Sequence, residues 1–313
     1  MLKLAVVAPC YNEEAVLTES TQRLTGLLNR LVEKGKIAQD SFILYVNDGS
    51  RDGTWKLISE LHDTNKYVKG LCLAHNVGHQ KAIMAGMMEA RTRCDALVTI
   101  DADLQDDINC IEEMVDDCGK GFDVVYGVKV ERKADSALKR WTAEAFYKVM
   151  DNLGVETVFN HADFRFMTRR VVDALSTYPE RNLYLRALMP KIGFPHTTVD
   201  DRLGERKGGE SKYTVGKMLG LAIDGITSFT EKPLYYVLYA GIAFLCISLG
   251  ILIYVLISLI TGHVAAGWAS LMLSIWFVGG VILIALGVTG IYIGKIYSEV
   301  KARPLYTVQE FLD

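Results

Sequence analysis

The sequence predicts an α/β protein with a mainly parallel sheet, followed by a hairpin of two transmembrane helices. Short apolar runs of strand length alternate with helical patterns in the first half of the chain. Three of these runs end in clusters of polar residues. Later in the chain, residues 233–294 contain no Asp, Glu, Lys or Arg. Together these features indicate a soluble domain joined to a membrane anchor.

The predicted strands are continuous apolar runs, which is typical of strands buried on both faces of a parallel sheet. The first run, from Leu4 to Ala8, is closed by Pro9 and leads into a helical pattern that extends to Leu31. Further strands are predicted at 42–46, 68–73, 96–100 and 122–126, and further helices around 55–61 and 81–90. Because helices separate successive strands, right-handed crossovers are expected between them.

Polar residues follow three of the predicted strands. In open α/β sheets, ligands bind beyond the carboxyl ends of the strands. These ends carry Tyr11-Asn12-Glu13, Asp48-Gly49-Ser50 and Asp101-Ala102-Asp103. We therefore expect the three clusters to meet at one edge of the sheet and to form a ligand site there.

Asp101 and Asp103 place two carboxylates close together at the end of a strand. Mg²⁺ is usually held by one or two carboxylates together with the phosphates of its substrate, and Gln105 can add a carbonyl oxygen. The pattern favours a site for a divalent cation and a diphosphate, with a solvated acidic loop as the alternative. Asp106 and Asp107 are expected to be solvated or to start a helix.

Two further residues are candidates for contacts with a nucleotide. Asp48 follows a buried strand and precedes Gly49, which suits a carboxylate that accepts hydrogen bonds from a base or a ribose. An ordinary turn aspartate is the alternative. In the turn around Gly78, Asn76 is expected to contact the same ligand, whereas His79 is expected to have a structural or solvent role.

The uncharged segment is long enough for two membrane-spanning helices, at about 234–260 and 269–294. A span needs about 20 apolar residues, and a charge within it costs at least about 2.5 to 3.5 kcal/mol. Lys232, Lys295, Lys301 and Arg303 flank the segment, and the loop between the spans has no Lys or Arg. Both ends are therefore expected in the cytoplasm. The chain is predicted to be a multi-pass protein of the cytoplasmic (inner) membrane, with its main domain facing the cytoplasm.

The remaining segments complete the predicted organisation. Apolar residues recur at helical spacing within 213–232, which predicts an interfacial amphipathic helix, with packing on the domain as the alternative. The chain is thus divided into a domain at 1–212, this helix, two spans within 233–294 and a cytosolic tail at 295–313. Glycines in the second span permit close helix packing, so we expect a homo-oligomer, with a tetramer as one option. The formal net charge of −3 gives no indication of nucleic-acid binding.

Several blocks of the sequence resemble those of a known family. The first three are similar to the signature blocks of inverting family 2 glycosyltransferases, which have the GT-A fold. Three later blocks resemble the polyprenyl-phosphate glycosyltransferases, which include bactoprenol glucosyltransferases and dolichol-phosphate mannose synthases. In order, the blocks are Pro9-Cys10-Tyr11-Asn12-Glu13-Glu14, Val46-Asn47-Asp48-Gly49-Ser50, Asp101-Ala102-Asp103-Leu104-Gln105, Asp163-Phe164-Arg165-Phe166-Met167, Gly209-Glu210-Ser211-Lys212-Tyr213 and Tyr292-Ile293-Gly294-Lys295-Ile296-Tyr297.

The resemblance implies a role for the matching residues, which agrees with the roles suggested above. Asp101, Asp103 and Gln105 would hold Mg²⁺ or Mn²⁺ against the donor diphosphate. Asp101 and Asp103 would also be catalytic residues, together with Asp163 and Arg165 beside the sugar and the acceptor. The nucleotide sugar would be bound by Pro9, Tyr11, Asn12, Glu13, Asp48, Asn76 and Asp101. The acceptor phosphate would be bound by Arg206, Ser211 and Lys212, and by Arg140 from a second basic cluster.

The implied reaction is an inverting transfer of a hexose, with glucose from UDP-glucose as the first choice, to undecaprenyl or another polyprenyl phosphate. The product would be a polyprenyl-phosphate sugar for modification of envelope glycans. A donor of the UDP-aminoarabinose type, a UDP-N-acetylhexosamine or GDP-mannose is the alternative, and a non-catalytic membrane scaffold is another. The absence of a Q-x-x-R-W motif disfavours a processive polysaccharide synthase.

The acceptor's own chemistry bears on the role of Asp163. A phosphate monoester has a second pKa of about 6, so it is largely dianionic at neutral pH and needs no strong general base. Asp163 is therefore expected to position the sugar or a cation rather than to act as an obligatory base.

Overall fold

The structure is a computed structural model that describes residues 1–129, 161–201, 227, 230–261 and 267–313. The described chain divides into two compact units. The first contains eight strands and six helices, and the second contains two long helices. In chain order the elements are β1 (Leu4–Cys10), α1 (Glu14–Glu33), β2 (Phe42–Asn47), α2 (Thr54–Thr64), β3 (Val68–Leu73), α3 (His79–Ala90), β4 (Ala96–Thr99), α4 (Cys110–Gly119), β5 (Val124–Lys129), β6 (His161–Thr168), α5 (Arg169–Leu175), α6 (Leu185–Lys191), β7 (His196–Asp201), α7 (Lys232–Thr261), α8 (Trp268–Lys301) and β8 (Val308–Leu312).

Helices cover both faces of the central strands, which is why every residue of β1 and β2 is buried. The strand order is β7-β5-β6-β4-β1-β2-β3-β8, and β4, β1, β2 and β3 run parallel to one another. On one face, Leu24 and Leu28 of α1 share a core cluster with Val6 of β1. On the other face, α3 lies so close that a Cβ at Gly86 would be 2.4 Å from Val7 Cγ1. The mainly parallel α/β fold predicted from the apolar runs is confirmed.

The first strand extends further than the sequence analysis predicted. Pro9 does not close β1 but lies within it, opposite Val46 of β2, and the strand ends at Cys10. Pro9 is buried, like its neighbours in the strand. Tyr11 is the first residue beyond the strand, so the polar cluster begins directly at the sheet edge.

Strand β6 was not predicted, and it decides the geometry of the site. It lies antiparallel between β4 and β5, with Thr99 opposite Arg165. Continuing this register brings residue 163 next to residue 101, just beyond the end of β4. Phe164 and Phe166 join the core cluster from one face of the strand, which leaves Asp163 and Arg165 on the other.

The C-terminal tail also has structure that the sequence did not reveal. The helix α8 continues to Lys301, and β8 then pairs antiparallel with β3 at the edge of the sheet. Asp313 forms a salt bridge with Lys69, and Trp55 Nε1 donates a hydrogen bond to Glu310 Oε2 at 3.3 Å. The segment predicted as a cytosolic tail, 295–313, therefore begins with the end of α8 and closes with the edge strand β8.

The second unit consists of α7 and α8, whose 30 and 34 residues contain the two predicted spans. Phe244 and Phe277 connect the helices, with ring centroids 5.5 Å apart. Among the described residues, one stretch, Phe277–Lys301, has the length and composition of a membrane-crossing helix, with a mean hydropathy of 2.2. The two-span hairpin stays a prediction. Most of the predicted interfacial helix, residues 213–226, lies outside the described residues.

Candidate active site

The loops that follow β1 and β2 form one connected edge. Asn12 Oδ1 accepts a hydrogen bond from Arg51 N at 2.9 Å, and Ser50 Oγ accepts one from Asn12 N at 3.1 Å. Glu14 Oε2 accepts a further one from Gly53 N at 2.9 Å. Asn12 adopts a left-handed backbone (φ 57°), which asparagine tolerates better than most residues. Two of the three predicted polar clusters are therefore held together by reciprocal hydrogen bonds.

Asp48 joins this edge to the loop that follows β3. It is 3% exposed, and its Oδ1 and Oδ2 accept hydrogen bonds from Val77 N and Gly78 N at 2.7 and 3.0 Å. Asn76 Nδ2 donates to the main-chain oxygen of Asp48 at 3.1 Å. Burial raises the pKa of Asp48, although the two amide donors oppose this effect. Asp48 thus has a structural task that the sequence analysis missed, and its contact with a nucleoside stays a prediction.

The other residues proposed for the nucleotide sugar differ in exposure. Tyr11, Asn12 and Asn76 are exposed at the sheet edge, where a ligand can reach them. Glu13 lies at the start of α1, and its main-chain N donates to Thr54 Oγ1 at 3.0 Å. Pro9 is buried within β1, so it can shape the edge but offers a ligand little surface.

Asp101 and Asp103 lie on a tight turn beyond β4. Leu104 N donates to Asp101 O at 3.0 Å, and Leu104 has a left-handed backbone (φ 47°), which is unusual for a bulky residue. Gln105 Nε2 donates to Asp103 Oδ2. Burial raises the pKa of Asp101, and the charges of Asp163 and Asp103 add to this effect while His79 opposes it. The Asp101 side chain is still 52% exposed, so a ligand can reach it, and the surface that Asp101, His79 and Asp163 share is called the cleft.

The chemistry of these donors fits a divalent cation only in part. Asp101 and Asp103 are exposed carboxylates, and Mg²⁺ and similar ions prefer oxygen ligands. Within the part of the chain that the structure describes, three or more Asp, Glu, His or Cys side chains do not come together as a metal-binding group. A cation here would need further oxygens, such as those of a bound diphosphate.

Asp163 is surrounded by positive side chains. Its Oδ1 accepts a hydrogen bond from Arg165 Nη2 at 2.6 Å, and its Oδ2 lies 3.2 Å from Arg186 Nη2 and 3.6 Å from His79 Nε2. Burial alone would raise the pKa of Asp163, but the neighbouring His79 and the charges of Arg165 and Arg186 outweigh it and hold the pKa far below its usual range. Asp163 is therefore ionised at neutral pH and is a poor proton acceptor.

His79 bridges two carboxylates of the site, which the sequence analysis did not predict. Its Nε2 lies 3.4 Å from Asp101 Oδ1 as well as near Asp163. Burial lowers the pKa of His79, but the neighbouring carboxylates of Asp163 and Asp101 raise it to a greater extent. Its position as the first residue of α3, directly beyond the β3 loop, is a signal that could have placed it at the same sheet edge.

Arg165 supports the site from beneath. It is 1% exposed, and its Nη1 donates to Leu185 O at 3.3 Å while its Nη2 holds Asp163. Burial lowers the pKa of this guanidinium, and the charge of Asp163 counters that effect. The Arg165 side chain therefore has almost no exposed surface and holds Asp163 in place. Its predicted catalytic role stays a prediction.

A buried acidic pair lies under the turn that carries Asp101 and Asp103. Asp106 is 3% exposed and Asp201 is fully buried, which contradicts the expectation that Asp106 is solvated. Asp201 Oδ1 accepts a hydrogen bond from Asp107 N at 2.8 Å, and Lys129 Nζ lies 3.4 Å from Asp106 Oδ1. Burial raises the pKa of Asp106 to about 7, because the opposing charge of Lys129 is offset by that of Asp201.

Four residues proposed for the acceptor phosphate, Arg140, Arg206, Ser211 and Lys212, lie outside the described residues.

Comparison with known proteins defines the family of this chain. Residues 5–176 match the model for "Glycosyl transferase family 2". The chain is 47% identical over 305 residues to the uncharacterized glycosyltransferase YkoT of Bacillus subtilis (strain 168), an alignment that covers 97% of this chain and 90% of the relative. The chain therefore belongs to glycosyltransferase family 2, and its fold is GT-A-like.

Two further similarities extend this comparison. The chain is 36% identical over 314 residues to the SfII prophage-derived bactoprenol glucosyl transferase of Shigella flexneri, covering 99% of this chain and 98% of the relative. The crystal structure of residues 1–349 of S. aureus TarS in complex with UDP-GlcNAc aligns with a TM-score of 0.46 and 15% identity, covering 74% of this chain and 68% of that chain. The chain is thus a glycosyltransferase with relatives named for transfer to bactoprenol.

Proposed function

We propose that this glycosyltransferase transfers glucose from UDP-glucose to undecaprenyl or another polyprenyl phosphate, with inversion at the anomeric carbon. The proposal is carried by the 36% identity, over nearly the full length of both chains, to a relative named as a bactoprenol glucosyl transferase. The three later sequence blocks, which resemble those of the polyprenyl-phosphate glycosyltransferases, support the same choice of acceptor.

The environment of Asp163 supports an acceptor that is already ionised. Two arginines and the imidazole of His79 surround Asp163 and favour its carboxylate form, so it cannot readily take a proton from a sugar hydroxyl. A phosphate monoester is largely dianionic at neutral pH, with a second pKa of about 6, and attacks without a general base. The residues of the cleft then have to orient the two substrates and offset the charge between their phosphates.

The donor is proposed to lie along the connected edge beyond β1, β2 and β4. Its nucleoside would contact Tyr11, Asn12, Glu13 and Asn76, with Asp48 holding the loops that surround it. Its diphosphate would lie at Asp101, Asp103 and Gln105, which would hold Mg²⁺ or Mn²⁺ jointly with the phosphate oxygens. Such a cation stabilises the departing nucleoside diphosphate.

The acceptor is proposed to reach the site from the membrane. The apolar helix at Phe277–Lys301 and the bactoprenol relatives support membrane association. We propose that α7 and α8 both cross the cytoplasmic membrane, with the first unit in the cytoplasm. Arg206, Ser211, Lys212 and Arg140 are proposed to bind the lipid phosphate.

The test is transfer of label by the purified protein in detergent. Undecaprenyl phosphate is incubated with radiolabelled UDP-glucose, UDP-N-acetylglucosamine or GDP-mannose, with Mg²⁺ or with a chelator. We expect label in the lipid phase with UDP-glucose and Mg²⁺, and almost none in the Asp101→Asn variant. Asp173→Asn, which changes an exposed aspartate on α5, is the matched control and should remain active. Label transferred from another donor would change the identity of the sugar in the proposal. The absence of lipid-linked label with every donor would refute the proposal.

A further inference from the structure

We propose that Arg186 is a substrate-binding residue of this site and that its guanidinium contacts a phosphate oxygen of one of the two substrates. The inference rests on the proposed function, which supplies a diphosphate from the donor and a phosphate from the lipid acceptor. None of the sequence blocks that resemble the family contains Arg186. Its position in the cleft is visible only in the folded chain.

Two arginines contact Asp163, and they differ in exposure. Arg165 pairs with Oδ1 and its side chain is 1% exposed, whereas Arg186 lies against Oδ2 and its side chain is 41% exposed. The buried arginine already offsets the buried carboxylate. The second guanidinium therefore presents positive charge on the solvent side of Asp163, where an anionic substrate can reach it.

The start of α6, which carries Arg186, is fixed to the cleft on both sides. Gln80 Oε1 accepts a hydrogen bond from Leu185 N at 3.1 Å, and Arg165 Nη1 donates to Leu185 O at 3.3 Å. The Leu185 side chain is itself buried. These contacts tie α6 to both α3 and β6, so the backbone next to Arg186 is held in place before a substrate binds. Gln80 is the positioning residue in this arrangement.

A guanidinium suits a phosphate better than it suits a sugar hydroxyl. Its planar donors can contact two phosphate oxygens at once, and hydrogen bonds between charged groups are stronger than neutral ones. The cleft also contains the carboxylates of Asp101 and Asp163, which repel an incoming phosphate. A positive side chain at Arg186 would reduce this repulsion.

The first test compares Arg186→Gln and Arg186→Lys in steady-state transfer from UDP-glucose to undecaprenyl phosphate. We expect Arg186→Gln to raise KM about 10- to 100-fold for one substrate, the loss expected for a charged hydrogen bond. Arg186→Lys should give a smaller rise, because it keeps the charge without the planar donors. A rise in the KM for UDP-glucose would show that Arg186 contacts the donor diphosphate. A rise in the KM for undecaprenyl phosphate would show that it contacts the acceptor phosphate.

The control for this test is Arg169→Gln on α5, an exposed arginine that pairs with Asp173 at 3.7 Å outside the cleft. It should leave both KM values unchanged. The inference is overturned if Arg186→Gln, with an unchanged melting temperature, leaves both KM values within about twofold of the wild type. If the wild type transfers no sugar at all, the proposed function fails independently. In that case, calorimetry measures the affinities of the wild type and of Arg186→Gln for UDP and for undecaprenyl phosphate. The inference is overturned if the variant binds each ligand as tightly as the wild type does.

A double-mutant cycle tests the positioning role of Gln80. Gln80→Met removes the acceptor for Leu185 N at similar side-chain length and should raise the same KM as Arg186→Gln. If Gln80 acts through Arg186, the double variant should show a smaller increase than the product of the two single increases. An increase equal to that product would mean that Gln80 does not position Arg186.

Discussion

Asp163 contacts two arginines and a histidine, which differ in their exposure to solvent. Arg165 is buried, while Arg186 and His79 are partly exposed in the cleft. At the scale of single residues, the site is therefore an ionised carboxylate with a buried arginine on one side and a partly exposed arginine and histidine on the other. This arrangement is suited to fixing charge rather than to moving protons.

Replacement of Asp163 tests this role. We expect Asp163→Asn to lower kcat by about 100-fold or more, in the range found when one electrostatic contact of an active site is removed. Loss of the carboxylate also leaves Arg165 buried without its partner, so a lower melting temperature is expected as well. The measurement is turnover alongside the affinity for UDP, which should stay within about threefold because Asp163 is not among the residues proposed to contact the nucleoside or the diphosphate. Asp173→Asn is the control, and near-normal turnover by a folded Asp163→Asn variant would exclude both positioning and charge pairing.

The acidic pair of Asp106 and Asp201 gives a prediction on pH. The folded chain keeps a proton on Asp106 up to about pH 7, whereas the unfolded chain releases it near pH 4. Stability should therefore fall as the pH rises between these values, since the unfolded state binds fewer protons. Asp106→Asn removes this pH-dependent loss of stability. The free energy of unfolding of the variant should therefore exceed that of the wild type by a margin that grows to on the order of 2 to 4 kcal/mol at pH 8.

Thermal unfolding in detergent and chelator, at pH 5 to 8, measures this difference. The exposed Asp173→Asn variant should show a difference from the wild type that does not change with pH. If the Asp106→Asn curve runs parallel to the wild-type curve, the proton is not held on Asp106.

At the scale of elements, β6 explains what the sequence could and could not predict. The apolar runs of β1 to β4 predict a parallel sheet because each run can be read from consecutive residues, and such runs are typical of strands buried on both faces. The position of Asp163 beside Asp101 depends on an antiparallel strand inserted between β4 and β5, and such a pairing leaves no local signal. The position of His79 at the start of α3 indicates the same sheet edge, but its contact with Asp163 depends on β6 and could not be predicted.

The loop that follows β2 contributes a prediction of its own. Gly49 has φ +61°, and a Cβ there would lie 2.5 Å from Asn76 N. Gly49→Ala should therefore destabilise the protein by about 1 to 3 kcal/mol, from backbone strain and from displacement of the β3 loop. Gly119→Ala is the matched control, since Gly119 lies in α4 with open space around it, and this change should be neutral or slightly stabilising. Equal melting temperatures for the two variants would contradict the prediction.

At the scale of the whole molecule, one chain combines a nucleotide-sugar fold with two long apolar helices. The sequence predicted both helices, at about 234–260 and 269–294, and the structure has them at Lys232–Thr261 and Trp268–Lys301. A long segment without charged residues is a strong sequence signal for such apolar helices, because it can be recognised without knowledge of tertiary contacts. Strand β8 could not be predicted in the same way. Residues Val308 to Leu312 form a strand by pairing with the edge strand β3, which is distant in the sequence.

The proposed transfer to a lipid phosphate leads to the prediction that α8 is inserted in the membrane. Leu283 and Ile284 lie within Phe277–Lys301 and are 70% and 68% exposed, as expected for side chains that face lipid. We expect the wild type to stay in the membrane pellet after alkaline carbonate extraction. The double variant Leu283→Arg/Ile284→Arg should be released or degraded, because each arginine at mid-span costs about 2.5 to 3.5 kcal/mol. Val308→Arg, at an exposed position of β8, is the control and should remain in the pellet. Release of the wild type by carbonate would show that the chain is bound to the membrane surface and does not cross it, and the lipid phosphate would then have to be reached from the interface alone.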